Sequence, residues 1–98
     1  MEIEYRTKKL ERICTDASVA RKVYSVKMAE KIQMRIDQIR SFDSVESMIK
    51  YQIGKCHELK GDRDGQYAVN LVQPYRLIFE KKDKEITIVR IIEITDYH

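Results

Sequence analysis

Six residues of this sequence carry chemistry that a scaffold does not need: His57, Lys60, Arg63, Arg76, Tyr97 and His98. The chain has 2 His, and both fall in this set. His57, Lys60 and Arg63 flank a Gly-Asp-rich turn, Arg76 interrupts an otherwise mostly apolar run, and Tyr97-His98 follows the last apolar run. A sheet that gathered two or three cations, an aromatic and a histidine would suit phosphodiester chemistry. Cations stabilise the charge that builds on phosphorus, an imidazole moves a proton near neutral pH, and a tyrosine stacks on a base or binds phosphate. Each residue also has a plainer reading. Arg76 could pair across strands with Glu80 or Glu93, His57 could bond a backbone carbonyl, Lys60 and Arg63 could be solvated turn cations, and His98 could be a frayed end.

The elements that must position these residues change period half-way along the chain. Glu2 to Arg6 alternates and reads as a short leading strand. Thr7 can cap a helix over 8–14, and Asp16 restarts one ahead of Ala17, Ala20 and Val23. A longer helix runs to about Phe42, with Met28, Ala29, Ile32, Ile36 and Ile39 as one apolar stripe and Lys27, Lys31, Arg35 and Gln38 largely off it. Asp43-Ser44-Val45-Glu46 resembles a capping box opening a short helix to about Tyr51. After Gly54 the pattern becomes that of strands: 55–60, a turn at 61–65, 67–72 with Tyr67, Val69 and Leu71 on one face, a tight connection at Gln73-Pro74, 75–81 with Tyr75, Leu77 and Phe79 on one face and Arg76, Ile78 and Glu80 on the other, and a long central strand over 86–95. Helices followed by a strand meander predict an α+β domain over residues 1–98, its helices packed on one face of an antiparallel sheet of about four strands.

Composition excludes much else. With 43% hydrophobic and 36% charged residues and only 3 Gly and 1 Pro, the chain is neither disordered nor low in complexity. No apolar run is long enough to span a membrane, and the start lacks a secretory h-region, so the expected compartment is the cytoplasm, with Cys14 and Cys56 reduced. A zinc site is disfavoured: there is no Cys-x2-4-Cys pair, and the neighbours Cys56 and His57 would point to opposite faces of a strand. No phosphate loop, dinucleotide fingerprint, nucleophile elbow or zincin motif occurs, and no cofactor is expected. The net charge of +3 divides into +2 over residues 1–49 and +1 over residues 50–98, so neither half is a basic tail and a polyanion partner requires the fold to focus the cations.

The block His57-Glu58-Leu59-Lys60-Gly61-Asp62-Arg63-Asp64-Gly65, then Pro74-Tyr75-Arg76-Leu77-Ile78-Phe79 and the terminal Asp96-Tyr97-His98, resembles the HigB-type branch of the RelE/ParE toxin superfamily. Lys8 to Thr15 is similar to that group's opening helix, so the resemblance spans nearly the whole chain. It implies a curved antiparallel sheet and a type II toxin that cuts mRNA in the A site of the 70S ribosome without a metal. The implied partners are a HigA-like helix-turn-helix antitoxin, the ribosome with its mRNA, and operator DNA only through the antitoxin. It implies catalytic roles for His57, Lys60, Arg76, Tyr97 and His98, and RNA or ribosome contact for Arg63, Tyr75 and Lys55. Which histidine is acid and which is base stays open. Pro74 stands where the family often has Asn or Asp, and a proline has no amide to donate. Two other functions share the scaffold: ParE-like inhibition of DNA gyrase, and a non-catalytic module that only grips its antitoxin.

Overall fold

The structure is a computed structural model and describes residues 1–82 and 87–96. Strand β1 (Glu2–Tyr5) leads into four helices, α1 (Lys8–Thr15), α2 (Ala17–Val23), α3 (Val26–Ser41) and α4 (Val45–Lys50). A side-chain oxygen caps each of these at its start. Thr7 accepts from Leu10 N–H, Asp16 from Ser18, Ser25 from Met28 and Ser44 from Ser47. The cap on α4 differs from the capping box expected at 43–46. Ser44 is the cap, Ser47 holds the third helical position, and Glu46 pairs instead with Lys81. Ser25→Ala removes the cap of the longest helix and should cost about 1 kcal/mol in a denaturant melt.

Asp16 links capping to pH. The hydroxyl and amide of Ser18 both donate to its carboxylate and hold its pKa below the usual value. A lowered folded-state pKa means that the contribution is complete above the unfolded-state value and is lost as pH falls through the lowered one.

A 3-10 turn (Ile53–Lys55) then enters β2 (His57–Glu58), a second 3-10 turn (Gly61–Arg63) follows, and β3 (Gln66–Asn70), β4 (Tyr75–Lys81) and β5 (Ile88–Asp96) complete the sheet. The strand order is β1-β5-β4-β3-β2. The strands β2 to β5 form the expected antiparallel meander, but β1 adds a fifth strand that runs parallel to β5. The sheet is therefore mixed. The β1 pairing joins the two ends of the chain across all four helices, a contact that local alternation cannot signal. The strand expected over 55–60 shrinks to two residues. Gln52, Gly54 and Lys55 take left-handed φ of 52°, 55° and 55°, which ends extended pairing before His57.

The helices cover one face of the sheet. Met28, Ala29, Ile32, Ile36 and Ile39, the stripe read from the sequence, are all buried against Tyr67, Val69, Leu71, Leu77, Phe79, Val89 and Ile91. Among the described residues no helix is long and apolar enough to cross a membrane. Both cysteines are free and lie in this core, where burial pushes each thiol pKa up to about 12. They should stay protonated and inert toward a water-soluble disulfide reagent in the native protein, then both react once it is unfolded in denaturant.

Candidate functional site on the open face of the sheet

The face of the sheet away from the helices has its own small apolar floor, formed by Leu59, Ala68, Ile78 and Ile92. Strand pairing lays polar side chains across it in rows. His57 opposes Ala68, Ala68 opposes Ile78, and Ile78 opposes Glu93. The next row is Asn70, Arg76 and Thr95. A register shift between β4 and β5 at Ile78/Phe79 inserts an extra residue in β5, so Ile92 faces the same side as Glu93. Such a bulge bends the strand and increases its twist. From strand spacings, His57 and Arg76 are about 12 Å apart at their backbones. An arginine and a histidine reaching toward each other can close that span on one phosphate.

Arg63 reaches the same face from the second 3-10 turn, where its guanidinium bonds the Glu93 carboxylate. Glu80 lies within ion-pair range of Arg90 at 3.7 Å. Of the two acids weighed as partners for Arg76, Glu93 binds Arg63 and Glu80 lies near Arg90, and Arg76 is itself not without a partner. Lys60 is exposed and holds the position just before the turn that carries Arg63, with no side-chain capping bond.

His57 adopts the plainer arrangement as well. Its Nδ1 lies 2.9 Å from the carbonyl oxygen of Lys55. A carbonyl only accepts, so Nδ1 must be the donor. Neutral His57 then carries its lone pair on Nε2. The ring is exposed. The bond to a backbone carbonyl therefore still leaves Nε2 able to accept a proton.

Tyr75 parts company with the cations. Alternation sends it to the helix face, where it is half-buried and packs edge-on against Tyr24 at 5.2 Å between ring centres and 70° between planes. The side chain expected to touch RNA beside Arg76 is instead part of the wall between sheet and helices. Lys55 is exposed, and its backbone carbonyl is the group that orients His57. Tyr97 and His98 lie outside the described residues. The described part of β5 ends at Asp96, one residue past Thr95 in the Arg76 row.

Two residues in this neighbourhood escaped the sequence reading. Asn70 stands opposite Arg76 on the open face, and the hairpin around Gln73-Pro74 already implied that pairing. Arg35, read from the sequence as largely off the α3 stripe, is half-buried and donates from Nε to the carbonyl of Asn70 at 2.7 Å. No local signal marks such a contact, which spans 35 residues.

No protein-family model matches the chain, and no curated protein matches it in sequence. Solved structures do match in shape. A YoeB/ParE toxin from Agrobacterium tumefaciens superposes with a TM-score of 0.67 at 16% identity, over 100% of both chains. YoeB in the YoeB–YefM complex from Staphylococcus aureus gives 0.64 at 22% identity, covering 100% of this chain and 97% of that one. The YoeB dimer from the same organism gives 0.63 at 22% identity with the same coverage. The helices-on-sheet architecture expected from the sequence is the one these proteins share, and the chain has the fold of these YoeB and YoeB/ParE toxins.

Proposed function

We propose that the protein is the toxin of a toxin–antitoxin pair and acts as a ribosome-dependent endoribonuclease of the HigB type. The observation that carries this reading is the shared placement of an oriented histidine, His57, and a row-centre arginine, Arg76, on one open sheet face. The YoeB-like fold and the H-x-L-K-G-D-R block add to it.

The reaction is an internal transesterification. The mRNA 2′-oxygen attacks the adjacent phosphorus in line, its proton leaves to a base, and the bond to the 5′-oxygen breaks as that oxygen takes a proton. The products are a 2′,3′-cyclic phosphate and a 5′-hydroxyl. His57, with its lone pair on Nε2, takes the base role, and His98 the acid role. Arg76 and Lys60 stabilise the charge on the phosphorane, Tyr97 orients a base or the phosphate, and Arg63 and Lys55 contact RNA or ribosome. The chain's own residues account for each of these roles without a metal. The modest charge of +3 agrees with a protein whose substrate is held by the ribosome rather than gripped along a basic track.

The proposed partner is a HigA-like antitoxin, through which alone the toxin meets operator DNA, and the site of action is the cytoplasm. A YoeB neighbour occurs in complex with YefM, which makes a protein antitoxin a natural expectation here. The test is expression without any antitoxin, with cleavage sites mapped on cellular mRNA. Wild-type protein should arrest growth and cut translated messages, while His57→Ala and His98→Ala should do neither. Growth arrest with intact mRNA and inhibited DNA supercoiling would move the protein to the gyrase-poison class.

A further inference from the structure

The short β2 strand leaves a gap in the sheet. Leu59 N–H donates to Gln66 O at 2.8 Å, and His57 pairs with Ala68 along the same ladder. Antiparallel alternation turns the backbone of every second residue of β3 toward β2. Asn70, two residues past Ala68, therefore directs its carbonyl to the β2 side, where the ladder would place Lys55. Lys55 is unable to fill that rung, because it belongs to the left-handed turn that closes before His57.

Arg35 fills it from α3. Its Nε donates to Asn70 O at 2.7 Å, and its Nη1 donates to Gln38 Oε1 at 2.9 Å, which steadies the guanidinium on its own helix. The group also lies flat against the turn. A Cβ added at Gly54 would sit 2.7 Å from Arg35 Nε and 2.9 Å from Cζ, so only glycine admits this contact. Burial lowers the Arg35 pKa from its usual range, which marks the guanidinium as partly withdrawn from solvent. One residue beyond Gly54, the Lys55 carbonyl holds His57 Nδ1, and Asn70 is the cross-strand partner of Arg76.

We propose that Arg35 is a positioning residue for the reaction: by standing in for the missing rung between the 52–56 turn and β3, it fixes His57 through the Lys55 carbonyl and the Arg76 row through Asn70. The kinetic part of this inference rests on the endoribonuclease reading, while the structural part does not. Two measurements separate them. The first is the ring-nitrogen NMR spectrum of the isotope-labelled full chain, with the His98→Gln variant used to assign the two histidines. Wild-type His57 should be the Nδ1–H tautomer when neutral. Arg35→Met should release it to a mixture of tautomers, and Arg35→Lys, which still donates one bond to Asn70, should restore much of the wild-type signal. The second is steady-state cleavage of ribosome-bound mRNA. Arg35→Met should lower kcat by about 10²-fold, the scale of a small misplacement of reacting groups, with KM essentially unchanged.

An unchanged His57 tautomer in folded Arg35→Met overturns the proposal. So does a raised KM with kcat intact, which would make Arg35 an RNA or ribosome contact. If Arg35→Met does not fold, Arg35→Ala, which places a strong helix former there and leaves the turn untouched, carries the same test. If wild-type protein cuts no mRNA, the endoribonuclease reading fails and the tautomer measurement alone decides the role of Arg35.

Discussion

Arg76→Ala should lower the single-turnover rate of ribosome-bound mRNA cleavage by about 10²–10³-fold, the usual cost of removing one group that stabilises developing charge. Arg76 holds the centre of the Asn70–Arg76–Thr95 row, with a paired strand on each side. A side chain rooted in a central strand is placed more exactingly than one on a loop, so little of its effect is lost to motion. The residue is half-buried and lies outside both apolar clusters. Arg76 is not without a partner, so the thermal melt reads the stability its contacts supply and the rates are compared between folded proteins. Arg76→Lys should recover only part of the rate, because an ammonium is a point charge and lacks the planar fork that engages two phosphate oxygens together. Near-wild-type cleavage by folded Arg76→Ala would remove Arg76 from the mechanism.

The largest expected effect on stability is that of Phe79→Ala, about 3–5 kcal/mol. Phe79 has 0% exposure and lies in β4, the central strand of the sheet, between Tyr67 on β3 and Ile91 on β5. Its ring stacks on Tyr67 with 5.8 Å between centres and 22° between planes. Paired strands hold the backbone on both sides, so the sheet has little room to collapse into the vacated space. The bulge into β5 begins at this residue, so loss of the ring also loosens the bend that shapes the open face. A loss of this size is a large fraction of the 5–15 kcal/mol typical of whole domains. In urea the midpoint should fall sharply with an unchanged slope. A shift equivalent to less than about 1 kcal/mol would mean that the core repacks far more freely than native interiors do.

What could be read from the sequence was whatever sequence neighbours decide. Thr7 and Asp16 cap helices because a short polar side chain reaches an amide two or three residues on. The stripe from Met28 to Ile39 is buried because helical period alone puts it on one face. Alternation from Tyr75 to Phe79 separated Arg76 from the core correctly, and it had already put Tyr75 on the face away from Arg76, against the role the resemblance gave it. What could not be read depends on contacts between distant segments. The parallel pairing of β1 with β5 joins Ile3 to Val89 across the whole helical half. The shrinkage of β2 depends on left-handed backbone at Gln52 and Lys55, residue types that rarely adopt it. Helical period placed Arg35 largely off the α3 stripe, and nothing local marked its bond to the Asn70 carbonyl. Of the candidate site, His57, Arg63 and Arg76 come together on the open face, Lys60 holds the position just before the turn that carries Arg63, and Tyr97 and His98 lie outside the described residues.

In the proposed reaction this sheet face cuts mRNA by internal transesterification on the ribosome. The most direct measurement incubates purified wild-type protein with a defined mRNA, once bound in the A site of 70S ribosomes and once naked, and reads the chemistry of the new ends. Only the ribosome-bound message should be cut, leaving a 2′,3′-cyclic phosphate and a 5′-hydroxyl. Intact mRNA on the ribosome, strong salt-sensitive cutting of the naked RNA, or ends bearing a 3′-hydroxyl and a 5′-phosphate would contradict that reaction.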